Sequence, residues 1–144
     1  MNALELTAEK ALERSHNSYG EVVRLLKYVP NATASIYRQR KKVYESPYEV
    51  VGCVARTPLE ELRTRTGEGS SREAKITIPV SFLSKIFGNS TPIEKTITTS
   101  DMILFDQRVW RITLVSMTSR LAHRPLLFSL ELREKLGEKE EVYL

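Results

Sequence analysis

The sequence predicts a mainly β protein, a small antiparallel β-barrel with a long inter-strand loop and a short N-terminal helix. Six or seven short segments alternate apolar and polar residues with a period of two, which is the pattern of half-buried strands. One segment near the N-terminus is instead rich in helix formers. Such strands, joined by short turns, form either a barrel or a sandwich. We favour the barrel, because closure removes exposed strand edges.

The composition is that of an ordinary globular chain. Its 144 residues, 41% hydrophobic and 28% charged, are enough for one domain with a real core. The net charge of +4 predicts no more than a mild attraction to polyanions. Cys53 is the single cysteine, which excludes an internal disulfide and fits a reducing compartment. We find no signal-peptide pattern and no apolar run of bilayer length, so we expect a protein assembled in a cytosol.

Residues 1–20 are predicted to form a helical segment outside the barrel. Helix formers dominate from Leu6 to Ser18, and Thr7 is in a suitable place for an N-cap. The apolar side is thin, so we expect a short surface helix that needs a partner.

The barrel domain is predicted over residues 21–134. Periodicity alone leaves residues 21–29 ambiguous between helix and strand, and their β-branched residues and flanking Gly and Pro favour a strand. Residues 35–45 and 48–55 are predicted to pair with each other around a Ser-Pro turn. Gly52, inside the second of these strands, predicts a bulge or a close backbone approach.

Residues 57–74 interrupt the strand pattern. They carry mixed charge and few apolar side chains, and a loop of this length is usually functional or disordered. The alternating pattern of a strand returns over residues 75–80, and a short helical turn is predicted after it.

A hairpin, a last strand and a tail complete the predicted chain. The hairpin spans residues 97–115, the last strand 125–134, and residues 135–144 form a mobile or partner-bound tail. Alternation in these segments predicts a core that includes Val50, Val54, Ile76, Ile78, Trp110, Ile112, Leu114, Phe128 and Leu130.

The residues that usually carry chemistry do not form a catalytic or metal-binding pattern. His16 and His123 have no ligand partner at a suitable spacing, so we expect both to be exposed. Cys53 is interpreted as a small core or interface residue. Asp101 and Asp106 are interpreted as turn or cap residues. We therefore predict no catalytic residue, no metal and no cofactor.

One basic run is a candidate binding site. Arg38, Arg40, Lys41 and Lys42 lie between two tyrosines, which is typical of strands that track phosphates. A solvated edge strand protected by its charges explains the same residues. Both interpretations stay open at this point.

The order of the segments resembles the head–tail connector proteins of tailed bacteriophages. The segments that carry the resemblance are SIYRQRKKVYESPYEVVGCVARTPLEEL, SREAKITIPVSFL, ITTSDMILFDQRVWRITLV and LLFSLELRE, which together cover about residues 21 to 134. Gln107 departs from the family pattern, where a glycine is usual, and this makes a tight primed turn less secure. The N-terminal helix lies outside the shared pattern.

The resemblance implies a virion structural protein of the neck, of the stopper or head-completion kind. Such a protein forms a homo-oligomeric ring, a hexamer or a twelve-fold ring, between a portal or adaptor protein and a tail protein. It retains packaged double-stranded DNA in its lumen and is assembled in the host cytoplasm, with no membrane and no cofactor. The loop would then contact a partner or the DNA through Arg63, Arg65 and Arg72, with a solvated spacer as the alternative.

Three other functions remain as alternatives. One is a small-barrel nucleic-acid-binding module that uses the basic run. A second, within the phage reading, is a portal adaptor or a tail-terminator ring. A small enzyme ranks last, since the sequence offers no group of residues suited to a reaction.

Overall fold

The computed structural model describes residues 3–36, 39–57, 72–88, 92–118 and 125–143. Strands make up most of this part of the chain, and the N-terminal helix is present. In chain order the elements are α1 Ala3–Tyr19, β1 Glu21–Leu26, β2 Tyr28–Ile36, β3 Gln39–Tyr44, β4 Tyr48–Arg56, β5 Glu73–Pro79, α2 Val80–Phe87, α3 Ile93–Thr96, β6 Met102–Phe105, β7 Arg108–Thr118, β8 Leu127–Lys139 and a 3₁₀ helix Glu140–Tyr143.

Six strands close into an antiparallel barrel in the order β1-β4-β5-β8-β7-β6, which confirms the predicted fold class. Three residue pairs between β1 and β6 complete the closure. We call one end of the barrel the hairpin end, because β2 and β3 connect β1 to β4 there. The opposite end is the loop end, because residues 57–72 connect β4 to β5 there.

Alternating side chains of the barrel strands fill its interior. Trp110 is 2% exposed, and its ring stacks on Phe105 with the centroids 4.5 Å apart. Its indole Nε1 also donates a hydrogen bond to the Phe105 carbonyl oxygen, 3.2 Å away. Burial confirms seven of the predicted core residues, and an eighth, Val54, is partly buried against the core. The seven are Val50, Ile76, Ile78, Trp110, Ile112, Phe128 and Leu130.

The prediction that Leu114 belongs to the core is wrong. Its side chain is 50% exposed, because a β-bulge at this point shifts the β7–β8 register. Ile112 pairs with Leu132, but Leu114 pairs with Glu131, so one extra residue of β7 lies between the two pairs. A bulge of this kind reverses which residues face the core. Consequently Val115, not Leu114, packs against the interior.

The predicted pairing of residues 35–45 with 48–55 is also wrong. Among the described residues, strand β3 pairs only with β2, in a separate two-stranded sheet, while β4 pairs with β1 and β5. The barrel needs β4 beside β1 in order to close. The chain between β1 and β4 is therefore a hairpin outside the barrel wall, which we call the β2–β3 ribbon.

Gly52 confirms the predicted close approach inside β4. A Cβ atom at this position would lie only 2.7 Å from the Cδ1 atom of Ile76. The pairing of β4 with both of its neighbours runs through this region without a register shift, so no bulge is needed to explain the glycine.

The β6–β7 hairpin turns through Asp106 and Gln107, which have φ angles of 54° and 57°. Two consecutive positive φ angles are the signature of a tight type I′ turn. Gln107 therefore occupies the left-handed conformation that a glycine usually takes, and the tight turn forms in spite of this departure from the family pattern.

Helix α1 lies against the outer surface of β4 and β5. It begins at Ala3, so Thr7 is within the helix and is not its N-cap. The Thr7 hydroxyl instead donates a hydrogen bond back to the Ala3 carbonyl oxygen, 2.8 Å away. The helix places Leu4 and Leu6 in solvent, with exposed fractions of 65% and 44%.

The last strand is longer than predicted. Strand β8 continues to Lys139, which pairs with Arg108, and the 3₁₀ helix follows it directly. Glu140 forms an ion pair with Arg24 of β1. The segment after the predicted strand end thus contacts the barrel wall at Lys139 and Glu140.

Candidate functional site

The β2–β3 ribbon leaves the barrel at a junction held by a buried ion pair. Lys27 Nζ lies 2.6 Å from Asp101 Oδ2, and the Asp101 side chain is 1% exposed. Asp101 also accepts hydrogen bonds from the backbone N–H groups of Tyr28 and Thr98, each 2.8 Å long. The predicted turn role of Asp101 is therefore correct, and the carboxylate in addition holds the start of β2 against the start of β6.

Lys27 also contacts a second element at the same junction. Its ammonium donates to the Thr96 carbonyl oxygen, 2.7 Å away, at the end of α3. A cation is favourable at this end of a helix, where the backbone carbonyls have no helical partner. Lys27 was missed by sequence reasoning. The available signal was a single charge between the apolar residues at the end of β1 and the start of β2.

An aromatic cluster supports the ribbon on its other side. The ring of Tyr44 makes edge-to-face contacts with Tyr28, at 5.8 Å between centroids, and with Tyr143, at 6.2 Å. Burial raises the pKa of the Tyr143 phenol above its ordinary value, and a hydrogen bond to Glu138 raises it further. Tyr28 and Tyr44, at the base of the ribbon, thus connect it to the barrel and to the C-terminal segment.

The same cluster covers apolar residues on the outside of the barrel. All four residues of β6 are buried, because this strand is covered on both faces. The outward set packs together under Tyr44 and Tyr143 and consists of Leu26, Met102, Leu104 and Val109. The base of the ribbon therefore rests on a second, smaller core.

Beyond its base, the ribbon stands apart from the barrel strands. Among the described residues its two strands make extensive contacts only with each other. The register pairs Arg40 with Ser35, Lys41 with Ala34 and Lys42 with Thr33. The structure thus brings three of the four predicted basic residues into one short strand, and the fourth, Arg38, lies outside the described residues.

At the loop end, Arg56 joins three strands. Its guanidinium donates to Glu21 at 2.5 Å and to both carboxylate oxygens of Asp106, at 2.7 and 2.9 Å. These hydrogen bonds hold the pKa of Asp106 below its ordinary value. Asp106 is therefore a turn residue, as predicted, and it also anchors the turn to the ends of β1 and β4.

The base of the loop carries a ring of paired charges. Arg72, the one predicted loop contact among the described residues, has its Nε atom 3.8 Å from Glu134. Glu134 also accepts from Arg108 at 2.8 Å, and Arg133 pairs with Glu73 at 3.2 Å. Arg63 and Arg65 lie outside the described residues. The described part of the loop end therefore has its charges largely neutralised.

The prediction that His16 is exposed is wrong. The ring is 5% exposed, with Nδ1 2.9 Å from the Leu12 carbonyl oxygen and Nε2 3.1 Å from Thr77 Oγ1. The helix presents this residue to the outer surface of β5, where the Thr77 hydroxyl gives it a partner. His16 is thus a packing residue, and His123 lies outside the described residues.

The remaining side chains that could take part in a reaction or bind a metal have structural roles where they are described. Burial raises the pKa of the Cys53 thiol, and the nearby Glu21 raises it further, so the reactive thiolate is disfavoured. No group of three or more His, Cys, Asp or Glu side chains that could hold a metal ion occurs in the described part of the chain. Over the same residues, no helix has the length and apolar character needed to cross a membrane.

Comparisons with known proteins give a limited result. No family profile matches the sequence, and no curated protein matches it. Among solved structures, the chain is similar to one described as "Virion of native gene transfer agent (GTA) particle", with a TM-score of 0.48 and 15% identity. The similarity covers 81% of this chain and 96% of that chain.

Proposed function

We propose that the protein is a structural component of a tailed-phage-type virion. In this proposal it is a neck connector of the stopper or head-completion kind. It forms a homo-oligomeric ring between the portal or adaptor protein and the tail, retains packaged double-stranded DNA and offers the tail its attachment surface.

One observation carries the proposal. The residues of the hairpin motif that resembles phage connectors have structural roles in a closed barrel. Asp101 holds the junction at the hairpin end, Asp106 anchors the turn at the loop end, and Trp110 fills the interior. The residues of the motif thus stabilise the barrel wall. None of these roles needs a catalytic site, as expected for a ring subunit.

The different chemistry of the two barrel ends supports the same proposal. The loop end carries paired charges, whereas the hairpin end carries a ribbon with a basic strand. A ring between a head and a tail has to contact different partners on its two sides. A subunit with two unlike ends meets this requirement.

Within this function, we propose that the segment between β4 and β5 contacts a ring neighbour, a tail protein or the DNA. Its sequence from Thr64 to Glu73 has no large apolar side chain, so burial within its own subunit offers little to offset the entropy of ordering. Arg63, Arg65 and Arg72 are the proposed contact residues.

Removing the gene from the particle that encodes it tests the neck role. We expect heads that package DNA but leak it or fail to join tails, and the intact gene supplied in trans should restore infectious particles. Tailed, infectious particles at the normal level in the absence of the protein would show that it is not a neck component.

A deletion of residues 66–71 tests the loop separately. A contact loop should give the same leaking or tailless particles, whereas a solvated spacer should give normal titres. A Gly/Ser replacement of equal length is the matched control, because it keeps the reach of the segment while leaving all three arginines in place.

The runner-up function is a small-barrel nucleic-acid-binding module that works outside a virion. The basic strand Gln39–Tyr44 is the specific observation in its favour. This function predicts that the protein is absent from purified particles, which mass spectrometry of those particles would decide.

A further inference from the structure

The net charge of the protein is concentrated in the ribbon. The whole chain has 22 basic and 18 acidic side chains. Residues 28–44 contain four of the basic residues and no acidic one, so the other 18 basic side chains are matched by the 18 acidic ones. The rest of the chain is therefore neutral overall, and residues 28–44 account for the entire excess of +4.

The element that carries this charge has a shape suited to binding duplex DNA. A two-stranded antiparallel ribbon is narrow enough to enter the major groove of B-DNA or to follow its phosphates. The register sets hydroxyl residues opposite two basic ones, Ser35 opposite Arg40 and Thr33 opposite Lys42. Lys, Arg, Ser and Thr are the residue types that bind phosphate oxygens without reading sequence.

The ribbon is attached to the barrel at its base. The Lys27–Asp101 pair and the Tyr28–Tyr44–Tyr143 cluster hold it to the barrel. Beyond them, the described strands of the ribbon pack on no other element to a comparable extent. A two-stranded hairpin alone is marginally stable in water, so an external surface that orders it has a physical advantage.

We propose that the β2–β3 ribbon is a sequence-independent binding site for the phosphate backbone of duplex DNA, with Arg40, Lys41 and Lys42 as its contact residues. This deepens the proposed function, on which it rests for the source of the duplex in the particle. It assigns DNA contact to the hairpin end of the barrel, in addition to any contact made by the loop.

An acidic protein surface is the other partner that such a charge could meet. Duplex DNA is favoured because it combines closely spaced negative charges with a groove that admits a two-stranded ribbon. The paired carboxylates of the loop end make a second copy of this chain a poor alternative, since their charge is already neutralised.

The test is the salt dependence of binding to two 20-bp duplexes of unrelated sequence, measured by fluorescence anisotropy with the full chain. If each contact residue neutralises one phosphate, three contacts should weaken binding about 40-fold between 50 and 200 mM salt. Both duplexes should bind equally. The variant R40Q/K41Q/K42Q should lose most of the affinity at 50 mM salt and nearly all of its salt dependence.

A matched variant controls for net charge. K10Q/R14Q/R111Q also removes three positive charges, from exposed side chains on α1 and β7 for which the structure records no ion pair among the described residues. It should keep the wild-type salt slope. Equal losses in the two triple variants would overturn the proposal, because binding would then follow overall charge. Absence of wild-type binding at 50 mM salt would overturn it as well.

The two proposals can fail separately. Particles that carry the ribbon variant and retain DNA as the wild type does would overturn the ribbon inference and leave the neck role intact. Ribbon-dependent DNA binding by a protein that is missing from the particles would overturn the neck role and support the ribbon site. Loss of ring assembly in the ribbon variant, with unchanged DNA binding, would assign the ribbon to a protein contact and reject the inference.

Discussion

The ammonium group of Lys27 and the carboxylate of Asp101 lie 2.6 Å apart at the junction between β1, the ribbon and β6. Both groups have further partners, since Lys27 binds a carbonyl of α3 and Asp101 binds two backbone N–H groups. The side chains are 15% and 1% exposed. Buried charges of this kind are tolerated when each is fully paired, and removing one partner leaves the other uncompensated.

Lys27→Met should therefore destabilise the protein strongly. We expect the free energy of unfolding in urea to fall by about 3–5 kcal/mol, because the Asp101 charge is left buried. The double variant K27M/D101N should lose less than the sum of the single losses. Lys85→Met is the control, since it removes an exposed ion pair with Glu13 and should cost less than about 1 kcal/mol. Equal losses in K27M and K85M would show that the junction does not depend on the pair.

The bulge in β7 predicts opposite results for two nearby residues. Trp110→Ala should lower the free energy of unfolding by about 3–5 kcal/mol, because its ring is buried against Phe105. Leu114→Ala should change it by less than about 0.5 kcal/mol, because half of that side chain is already in solvent. A large loss for L114A in chemical denaturation would mean that β7 runs without the bulge.

Replacing Gln107 with glycine should stabilise the barrel. A residue with a side chain is strained at a φ of 57°, and glycine is not. The greater freedom of glycine in the unfolded chain offsets part of this gain, so we expect a net increase of about 0.5–1 kcal/mol. Gln107→Ala keeps the Cβ atom and should give no such gain. Equal melting temperatures for the two variants would contradict a type I′ turn at this position.

Asp106 should make a pH-dependent contribution to stability. Arg56 depresses the pKa of this carboxyl from its ordinary value of 3.8, so the contribution is present above pH 4 and is lost as the pH falls through the lower folded-state pKa. Asp106→Asn keeps a residue that tolerates positive φ and removes the charge. The site is partly exposed, so the loss at pH 7 should be about 1 kcal/mol or less. Urea titrations should show the two proteins converging below pH 4; a constant difference down to pH 2 would contradict the charge-based explanation.

The local sequence pattern was sufficient to predict most of the strands that form the barrel wall. Period-two alternation identified the strands that contain Ile76, Trp110 and Phe128, because each faces one core with regular spacing. It failed at Leu114, since an inserted residue leaves no mark in composition. It also failed for β3, because neighbouring strands usually pair, whereas closure of this barrel requires β4 to pair with β1.

For the candidate sites, the sequence predicted only features that depend on residues close together in the chain. The turn role of Asp101 could be inferred from its neighbours, but Lys27 is 74 residues away and no short pattern links them. The burial of His16 had a local signal, since Glu5, Leu12 and His16 recur at helical spacing on the packed face of α1. That face is largely polar, so an apolar-stripe criterion overlooked it.

Strand β8 pairs with β5 on one side and with β7 on the other, so it is the piece that joins the two halves of the wall. During synthesis, the ribosome completes β1, β4 and β5 long before residues 127–139 emerge. Until then β5 presents an unpaired edge, and Ile76 and Ile78 lack the residues opposite them, Leu130 and Phe128. The barrel therefore cannot close until these residues have emerged, and during that interval the exposed edge of β5 is open to chaperones that hold unpaired strands and to mispairing.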